Sequence, residues 1–572
     1  MDPSLSLHDV AQYHEISKHR LDRFAPGPGY LDWATQPDAF RRYHGARLVE
    51  LSFEGIVETP TWDEVMTCRA LARRAITYGS ISRLFQDSLA LSAWKCFQGS
   101  TWSLRVNPSS GNLHPTEGYL ICGPVRQLCE HPCVLHYAPK EHALELRTKL
   151  PDDLWNAISR PWNGDVVFVG LSSILWREAW KYGERAYRYC QHDLGHAIAC
   201  VALAAAAMGW SVNPLEARSS HSIDLLLGTD EGSAAFPTEE FDAEGERGAA
   251  LIAVSPTPSV PERNPWTPEM HRLLQGLRWS GQPNRLSTGH VRWHFAEQME
   301  RLCMQPLLTA PFEASNEGLA PAGEAKREGS GVPGPGSRSF RALIHQRRSA
   351  VAMDGTTVID FQQLGRFLSC TLSGPAGSFS VLPWRPRVSL ALFVHRILGL
   401  TPGLYLFLRN PDHEQAFRSR LRPEFLWEQV SPRLFRLASS DCRRAAQLIS
   451  CRQEIAADGC FSLGMLSEFS GPLSTGPWIY PRLYWECGVI GQMLYIEAEA
   501  QGIRATGIGC FFDDAMHDLL GLSDRSFQSL YHFSVGGAVE DDRLTNRPAY
   551  PDSEASNDPP TRQGTEPSFL PP

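Results

Sequence analysis

The loop at residues 107–115 combines side chains that suit a polar ligand. Its sequence, Asn-Pro-Ser-Ser-Gly-Asn-Leu-His-Pro, carries the hydroxyls of Ser109 and Ser110 and the amide of Asn112. Proline, glycine, serine and asparagine favour turns, and the polar groups can donate or accept hydrogen bonds. On composition alone, the segment is either a ligand-binding loop or an ordinary solvated turn between a helix and a strand.

A second segment, residues 176–189, is dense in basic and aromatic side chains. It contains Lys181 and Tyr182 and leads into an apolar helix. It is either part of a site or a salt-bridged surface segment with aromatic packing. His192 and His196 follow at a spacing that would suit two metal ligands on a helix. No third ligand joins them at a convincing spacing, so we predict no metal site.

Two further segments lie in the second half of the chain. Arg347, Arg348 and Ser349 stand at a predicted helix-to-loop junction, where guanidinium and hydroxyl groups suit a phosphate. Such strings are also common on protein surfaces. Later, Gly507-Ile508-Gly509 follows a predicted helix, and glycines let backbone N–H groups approach a planar ligand closely. The alternative for this segment is a tight turn that enters an edge strand.

The chain has 572 residues, too many for one ordinary core, and its composition divides it into five regions. Residues 1–60 form an N-terminal extension, residues 61–256 a first globular domain, and residues 257–338 a connector with helices and a Gly/Pro-rich end. Residues 339–539 form a second globular domain. Residues 540–572 are rich in Pro, Asp and Ser, which predicts a disordered tail.

The two globular domains repeat one order of elements. In the first, a strand at 118–122 follows a Pro-rich loop, and an Ala-rich helix within 193–210 ends near a glycine. In the second, a strand at 388–394 follows a Pro-rich loop, and a helix at 488–500 ends near a glycine. The shared order of loop, strand, helix and glycine turn indicates two copies of one α+β domain.

These motifs resemble those of the nitroreductase superfamily, in its SagB-type dehydrogenase form. The loop at 107–115 is similar to the family's Pro-Ser-Ser-x-Asn-x-x-Pro segment. Residues 181–188 resemble its Lys-Tyr-Gly-(Asp/Glu)-Arg-x-Tyr-Arg stretch, and residues 347–349 its Arg-Arg-Ser start. The resemblance implies the FMN-dependent nitroreductase fold in two tandem copies. Because the family forms obligate dimers, the two copies would make a pseudo-dimer within one chain.

The resemblance also implies the cofactor FMN and assigns parts of its site. The Arg-Arg-Ser residues would hold the phosphate and ribityl chain, although Val351 stands where many relatives have another arginine. Residues 507–509 would contact the flavin ring, and Ser109, Ser110 and Asn112 would close it from the other half.

The motifs are distributed unequally between the halves. The first half has only Tyr-Gly-Ser-Ile-Ser-Arg at 78–83 in place of Arg-Arg-Ser, and the second has Leu-Pro-Trp-Arg-Pro at 382–386 in place of the Ser/Asn loop. We therefore predict one FMN site assembled from both halves, with the equivalent second site vestigial.

The implied catalytic residues are Lys181 and Tyr182. A lysine of lowered pKa, or a tyrosine polarised by it, could remove a proton while a hydride leaves for flavin. The leading hypothesis is an FMN-dependent oxidoreductase, a SagB-type dehydrogenase with a peptide azoline as candidate substrate. The alternatives are an NAD(P)H-dependent nitro or quinone reductase, and a non-catalytic flavin-binding or structural partner in a biosynthetic complex.

Net charge, apolar stretches and cysteine content limit the classes of partner that the chain is expected to bind. A net charge of -9 argues against nucleic acid. The longest apolar stretch, 194–210, is short for a bilayer and contains His196, which argues against a membrane span. Fourteen cysteines without CxxC pairs fit reduced thiols in a cytoplasmic protein. The expected partners are a small-molecule or peptide substrate and biosynthetic partner proteins.

Overall fold

The structure is a computed structural model that describes residues 3–53, 59–67, 71–215, 219–229, 244–257, 268–306, 338–372, 381–541 and 543–550. The Gly/Pro-rich end of the predicted connector, residues 322–337, lies outside the described residues, and so do residues 551–572 of the predicted tail.

The described strands are numbered in chain order. They are β1 (Tyr43–His44), β2 (Arg47–Glu50), β3 (Leu91–Phe97), β4 (Ser100–Arg105), β5 (Thr116–Cys122), β6 (Cys133–Ala138), β7 (Ala143–Lys149), β8 (Val167–Ile174), β9 (Ser211–Pro214), β10 (Glu246–Ser255), β11 (Gln282–Pro283), β12 (Ile359–Asp360), β13 (Val388–Val394), β14 (Ile397–Leu398), β15 (Gly403–Phe407), β16 (Glu428–Ser431), β17 (Leu434–Ser439), β18 (Phe461–Glu468), β19 (Arg504–Ile508), β20 (Phe527–Gly536) and β21 (Thr545–Arg547).

The described helices are numbered in the same way. They are α1 (Pro3–Ile16), α2 (Trp62–Thr67), α3 (Tyr78–Gln86), α4 (Asp152–Ser159), α5 (Leu175–Tyr182), α6 (Ala186–Ala207), α7 (Ser220–Leu227), α8 (Pro268–Gln275), α9 (His294–Leu302), α10 (Phe340–Gln346), α11 (Phe361–Cys370), α12 (His413–Arg418), α13 (Arg443–Ile449), α14 (Ile455–Asp458), α15 (Ser470–Leu473), α16 (Tyr480–Ala500) and α17 (Asp513–Leu520). None of them combines the length and the apolar character that a bilayer crossing demands.

Six strands of each seven-stranded sheet share one pattern of connections. The strand order is β2-β7-β6-β5-β8-β10-β9 in the first sheet and β16-β17-β15-β13-β18-β20-β19 in the second. The central strands β5 and β13 pair antiparallel with β8 and β18, respectively. The edge strands differ, because β2 precedes the other strands of its sheet in sequence whereas β16 lies between β15 and β17. The mixed helix and sheet content is that of the predicted α+β class.

Alternate residues of each central strand face different cores. Leu120 of β5 and Leu390 of β13 belong to one large core that contains residues of both halves. Tyr119 of β5 faces a second core, and Ala391 of β13 a third, each made within one half. Because both faces of these strands are covered, every residue of β5 and β13 is buried. This explains why β13 and residues 119–122 of β5 appear as nearly continuous apolar runs without alternation.

The long helices α6 and α16 pack against each other more extensively than any two other described helices. Gly195 of α6 and Gly488 of α16 meet where the helices cross. A β-carbon on Gly195 would lie 2.9 Å from the Cα of Gly488 and 2.9 Å from the Cα of Trp485. Glycine is required here because the two backbones leave no room for a side chain.

We expect Gly195→Ala to lower the free energy of unfolding by about 1–3 kcal/mol, because the added methyl group meets backbone atoms that cannot rotate away. The matched control is Gly365→Ala in α11, where a β-carbon would meet nothing within 4 Å. This control should be neutral or stabilise the protein by about 0.4–1 kcal/mol. Urea unfolding of both variants makes the comparison, and equal stabilities would contradict the tight helix crossing.

The two chain ends join the framework. The predicted N-terminal extension supplies β2, which pairs with β7 of the first sheet. It also supplies α1, in which His14 Nδ1 lies 3.2 Å from Tyr480 Oη of the second half. Part of the predicted tail contacts the first half. In residues 543–550, β21 pairs with β3, and the Tyr550 hydroxyl donates to Pro139 O at 2.7 Å.

Candidate cofactor site

One cavity of about 390 Å³ is lined by residues from both halves of the chain. Its volume lies in the range of ordinary ligand pockets, about 300–1,000 Å³. Of the predicted site residues, all except Lys181 line it: Ser109, Ser110, Asn112, Tyr182, Arg347, Arg348, Ser349, Gly507, Ile508 and Gly509. Segments separated by hundreds of residues in sequence therefore meet around one space.

The second-half wall is built on β19. The segment after α10 runs beside this strand, and the N–H of Ala350 donates to Ala505 O at 3.1 Å. The Tyr495 hydroxyl ties the two segments together, because it lies 2.8 Å from Ser349 Oγ and accepts from the Gly507 N–H at 2.9 Å. The arginine-serine segment and the glycine segment are thus positioned as one unit by a tyrosine of α16.

Two tyrosine rings pack so closely against this wall that residues 507 and 509 must be glycine. A β-carbon on Gly507 would collide with the Tyr531 side chain, and one on Gly509 with the Tyr189 side chain. The Gly509 carbonyl also accepts from Arg185 Nη2 of the first half at 3.0 Å. The glycines were predicted to let a planar ligand approach the backbone closely. In the structure, the rings of Tyr189 and Tyr531 make part of this approach.

The first-half wall is the loop at 107–115, and its polar groups are partly occupied. The N–H of Ser110 donates to both carboxylate oxygens of Asp193 at 3.0 Å, and its hydroxyl donates to Oδ1 at 2.8 Å. Asn112 Nδ2 donates to Ser103 O at 2.9 Å. Ser110 and Asn112 therefore fix the shape of the loop, which differs from the predicted picture of free groups offered to a ligand.

Lys181 and Tyr182 end α5 and cover the tip of this loop. A β-carbon on Gly111, where φ is +58°, would lie 2.5 Å from Tyr182 Oη and 3.2 Å from Lys181 Nζ. Burial, and then the charge of Glu178, raise the pKa of Tyr182 well above its usual value. Tyr182 therefore holds its proton at neutral pH and can donate a hydrogen bond into the cavity.

A buried acid stands beside this pair. Burial raises the pKa of Asp193 to about 7, although hydrogen bonds from Ser109 and Ser110 oppose the shift. Burial, and then the nearby Asp193, raise the pKa of Glu178 as well. Asp193 lines the cavity. It is therefore a group that can gain or lose a proton near neutral pH at the cavity wall.

The cavity wall carries clustered positive charge. Lys95, Arg105, Arg347 and Arg348 all line it. Burial, and then Arg347 and Arg504, lower the pKa of Arg348 to about 10, and burial lowers that of Arg105 to about 10. Lowered values on neighbouring cations mean that their positive charge is incompletely compensated, which favours an anionic ligand.

Four buried polar atoms of the lining residues lack a hydrogen-bond partner among the residues described: Arg105 Nε, Asn107 Oδ1, His114 Nδ1 and Arg347 Nε. Buried polar groups are normally paired, so unpaired ones around a cavity indicate that it takes a polar ligand. Two guanidinium donors, one amide acceptor and one imidazole nitrogen beside four cations fit a phosphate-bearing molecule with further polar atoms. FMN has this character.

The two histidines at metal-ligand spacing have separate partners. His192 Nε2 lies 3.0 Å from Leu530 O, and His196 Nδ1 lies 3.2 Å from Gln492 Oε1. Burial lowers the pKa of His196 to about 3, so its ring is neutral. Both are buried histidines with structural hydrogen bonds.

Sequence reasoning missed several lining residues. Arg105 and Lys95 come from the β3–β4 hairpin, which carries no recognisable motif. Tyr495 and Tyr531 come from α16 and β20, where they resemble ordinary core aromatics. The only available signal was the position of Arg105, two residues before the conspicuous loop.

A second, much smaller cavity among the described residues is lined by part of α16 near the helix crossing. Tyr189 lines the large cavity six residues before Gly195, and Arg482 lines the small one six residues before Gly488. The small cavity measures about 70 Å³, with Trp478 and Trp485 among its lining residues. A space of this size is too small for a cofactor of the ordinary kind.

Asp193 of α6 and Glu486 of α16 occupy corresponding positions relative to the helix crossing. Asp193 and Glu486 each lie two residues before the crossing glycine. Asp193 accepts from the Ser/Asn loop, whereas Glu486 accepts from the Arg387 N–H at 3.1 Å and from Trp384 Nε1 at 3.3 Å. In the second half, a tryptophan thus contacts the acid where the first half has a serine.

Comparisons with known proteins agree with this architecture. Residues 66–236 match the model of the Nitroreductase family. The sequence matches no curated protein. The crystal structure of a protein from Anabaena variabilis described as a nitroreductase aligns with a TM-score of 0.65 at 20% identity, over 93% of this chain and 99% of that one. The chain therefore has a nitroreductase fold, and the correspondence extends through both halves.

Shorter structures match part of the chain. A Ralstonia eutropha protein described as a nitroreductase has 11% identity and a TM-score of 0.26, over 41% of this chain and 98% of its own. A chain of the E. coli microcin synthetase McbBCD complex with truncated pro-MccB17 has 15% identity and a TM-score of 0.25, over 45% and 95%.

Proposed function

We propose, on the premise of a nitroreductase fold that extends through both halves, that this chain is an FMN-dependent oxidoreductase with one composite site. The observation that carries the proposal is that the arginine-serine, glycine and Ser/Asn segments line one cavity of about 390 Å³. The smaller cavity near the helix crossing measures about 70 Å³. The two halves would thus form a pseudo-dimer that holds a single flavin.

Arg347 and Arg348 would hold the phosphate of FMN. Their guanidinium groups are buried or half-buried at the cavity, and Arg347 Nε has no hydrogen-bond partner within the described chain. Arg105 and Lys95 add positive charge at the same wall. Charge-assisted hydrogen bonds from guanidinium to phosphate are among the stronger polar contacts in proteins, which makes this the main anchoring interaction.

Residues 507–509 would contact the flavin ring, with Tyr495 holding the Gly507 backbone in place. The loop of Ser109 and Ser110 would close the ring from the first half, fixed by Asp193. When bound, FMN supplies the hydride-transfer chemistry, and the protein supplies orientation, charge and proton handling.

Three side chains in or beside the cavity could donate, accept or orient a proton: Lys181, Tyr182 and Asp193. Tyr182 keeps its proton and can donate a hydrogen bond to substrate, with Lys181 Nζ 5.5 Å from the centroid of its ring. Asp193, with a pKa of about 7, can accept a proton that leaves the substrate. The arrangement supports the dehydrogenase direction, in which substrate loses a proton to the protein and a hydride to the flavin.

The substrate we propose is an azoline ring in a peptide, oxidised as in a SagB-type dehydrogenase. Anaerobic mixing with a thiazoline-containing peptide should bleach the oxidised-flavin absorbance. Mixing with NADPH in place of the peptide tests the opposite direction. Bleaching by NADPH but not by the thiazoline would contradict the dehydrogenase and favour a nitro or quinone reductase.

We expect Lys181→Met combined with Tyr182→Phe to reduce the rate of substrate-dependent flavin bleaching by about 10²–10³-fold, the usual cost of removing a hydrogen-bond donor positioned toward developing charge. Flavin content should be retained, because neither residue belongs to the phosphate wall. The control is Tyr78→Phe, a tyrosine outside the cavity whose hydroxyl donates to Glu50 O at 2.8 Å. An unchanged bleaching rate in the double variant would remove both residues from the mechanism.

A further inference from the structure

Three cysteines converge at one end of the β5–β6 hairpin. The sulfur atoms of Cys122, Cys129 and Cys133 all lie within 4.8 Å of one another, and those of Cys122 and Cys129 are 3.7 Å apart. They are separated by six and three residues in sequence, a spacing without a CxxC pair. The spacing of the cysteines in the sequence, which lacks CxxC pairs, therefore does not predict this cluster.

The backbone holds the three positions. Cys122 ends β5 and Cys133 begins β6, and the two residues are direct cross-strand partners. Cys129 is fixed by a turn in which its N–H donates to Val125 O at 2.9 Å and its carbonyl accepts from the Val125 N–H at 2.9 Å. Because strand pairing and a closed turn set the geometry, the thiols do not depend on loop rearrangement to meet.

The sulfur spacing suits a tetrahedral ion. Zinc–sulfur bonds of about 2.3 Å place the sulfurs of a tetrahedral site roughly 3.8 Å apart. The closest pair is already at this spacing, and the other distances, up to 4.8 Å, require shifts of about 1 Å at most.

The turn also brings a backbone oxygen to the cluster, because Cys129 Sγ donates to Gly123 O at 3.3 Å. A thiophilic cation that binds here would take the place of the thiol protons, which leave to solvent on binding.

A candidate fourth ligand lies in the same turn. His131 stands between Cys129 and Cys133 in the string Cys-Glu-His-Pro-Cys, and its side chain is exposed. Its ring is not among the groups that lie within 4.8 Å of one another, so ligation requires the ring to turn toward the ion. Three thiolates and one imidazole form a common structural zinc set.

We propose that Cys122, Cys129, Cys133 and His131 bind one Zn²⁺ ion as a structural clamp on the β5–β6 hairpin. The opposite end of β5 begins at Thr116, whose carbonyl accepts from the cavity residue Arg105. Thr116 and Cys122 are six residue steps apart along the strand, about 20 Å. The metal site is therefore distinct from the cofactor cavity and does not depend on the proposed function.

The test is the zinc content of the full-length protein, purified under reducing conditions and dialysed against a chelator. We expect about one zinc per chain, and Co²⁺ substitution should give the thiolate charge-transfer and visible bands of a tetrahedral site. Serine in place of Cys122, Cys129 or Cys133 should raise the zinc Kd by at least roughly 100-fold, above the 10–100-fold typical of losing an outer partner. His131→Ala should weaken binding but leave the charge-transfer band.

The matched controls are Cys96→Ser and Cys442→Ser, which remove half-buried cysteines outside the cluster and should leave zinc content unchanged. Three outcomes would overturn the proposal, and none depends on variant folding. The first is wild-type protein without zinc after incubation with it. The second is zinc that leaves all three thiols open to alkylation. The third is a Cys122–Cys129 disulfide found by mass spectrometry in the reduced preparation.

Discussion

Replacing Arg347 and Arg348 together with methionine is expected to weaken FMN binding by roughly 10²–10⁴-fold. Each charge-assisted hydrogen bond to the phosphate contributes about 1.5–3 kcal/mol, so two lost arginines correspond to about 3–6 kcal/mol. Methionine retains much of the buried side-chain volume. Quenching of flavin fluorescence on titration with apoprotein gives the Kd.

Riboflavin makes this prediction specific, because it has the ring and ribityl chain of FMN but no phosphate. If the arginines hold the phosphate, the double variant should bind riboflavin about as well as the wild type does. Arg443→Met is the control, since Arg443 is exposed and paired with Asp441 away from the cavity. Equal losses for FMN and riboflavin would mean that the arginines shape the cavity and do not contact a phosphate.

Folding of the apoprotein should survive this replacement. The lowered pKa of Arg348 shows that burial and neighbouring cations disfavour its charge at the cavity wall. Removing these charges should leave the free energy of unfolding of the apoprotein unchanged or slightly higher. A loss of FMN binding can therefore be separated from unfolding in the same preparation by circular dichroism.

Replacing Asp513 with alanine is expected to destabilise the protein by about 3–5 kcal/mol, the cost of leaving a buried charge without its partner. Asp513 is fully buried and pairs with Arg185 at 3.0 Å and Arg188 at 2.7 Å, both from the first half. It also accepts from the His19 N–H at 3.1 Å. One carboxylate thus joins the N-terminal segment, the first half and the second half.

The same contact predicts a pH dependence. Burial alone would raise the pKa of Asp513, but Arg185 and Arg188 outweigh it and lower the pKa to about 2. A lowered folded-state pKa gives stability that is present above the unfolded value near 4 and is lost as the pH falls toward 2. The stability difference between wild type and Asp513→Ala should therefore shrink over this range.

Asp441→Ala provides the matched control for Asp513. Asp441 pairs with Arg443 at 2.6 Å, but both side chains are exposed, so its loss should cost no more than about 1 kcal/mol. Urea unfolding at neutral pH compares the two variants. Similar small losses would show that the buried network is not what holds the halves together.

The segments of the site could be predicted from the sequence because each contains a local pattern of residue types that suits a ligand. A serine- and asparagine-rich loop, an arginine pair and a Gly-x-Gly turn can be recognised without knowledge of the fold. The aromatic residues that position them cannot, because Tyr495 and Tyr531 acquire their roles only when α16 and β20 reach the cavity. Tertiary packing also explains why Ser110 faces Asp193 and is not free for a ligand.

Elements with a clear apolar pattern were also predictable. The strand at 388–394 is β13, and the predicted helix at 488–500 is the second part of α16. The start of α6 was placed too late because residues 185–188 are rich in arginine, which suggested a surface segment. In fact Arg185 and Arg188 are buried by pairing with Asp513, a partner more than 300 residues away in sequence.

The C-terminal segment shows that composition alone does not decide whether a segment is ordered. The segment around Tyr550 has the Pro- and Asp-rich character of disorder, but three residues of β21 pair with β3, and the Tyr550 hydroxyl is hydrogen-bonded. A short segment can be ordered by an edge strand that offers free backbone groups. The composition of the segment around Tyr550 does not indicate that a strand elsewhere in the chain is available to pair with it.

The flavin-to-protein ratio of the purified full-length chain tests the central claim most directly. Absorbance of flavin released by denaturation, together with quantitative amino-acid analysis, gives this ratio after reconstitution with excess FMN and removal of unbound flavin. A single composite site, with only about 70 Å³ in the smaller cavity, predicts one FMN per chain. Two FMN per chain would contradict the account, because the halves would then be equivalent and not complementary.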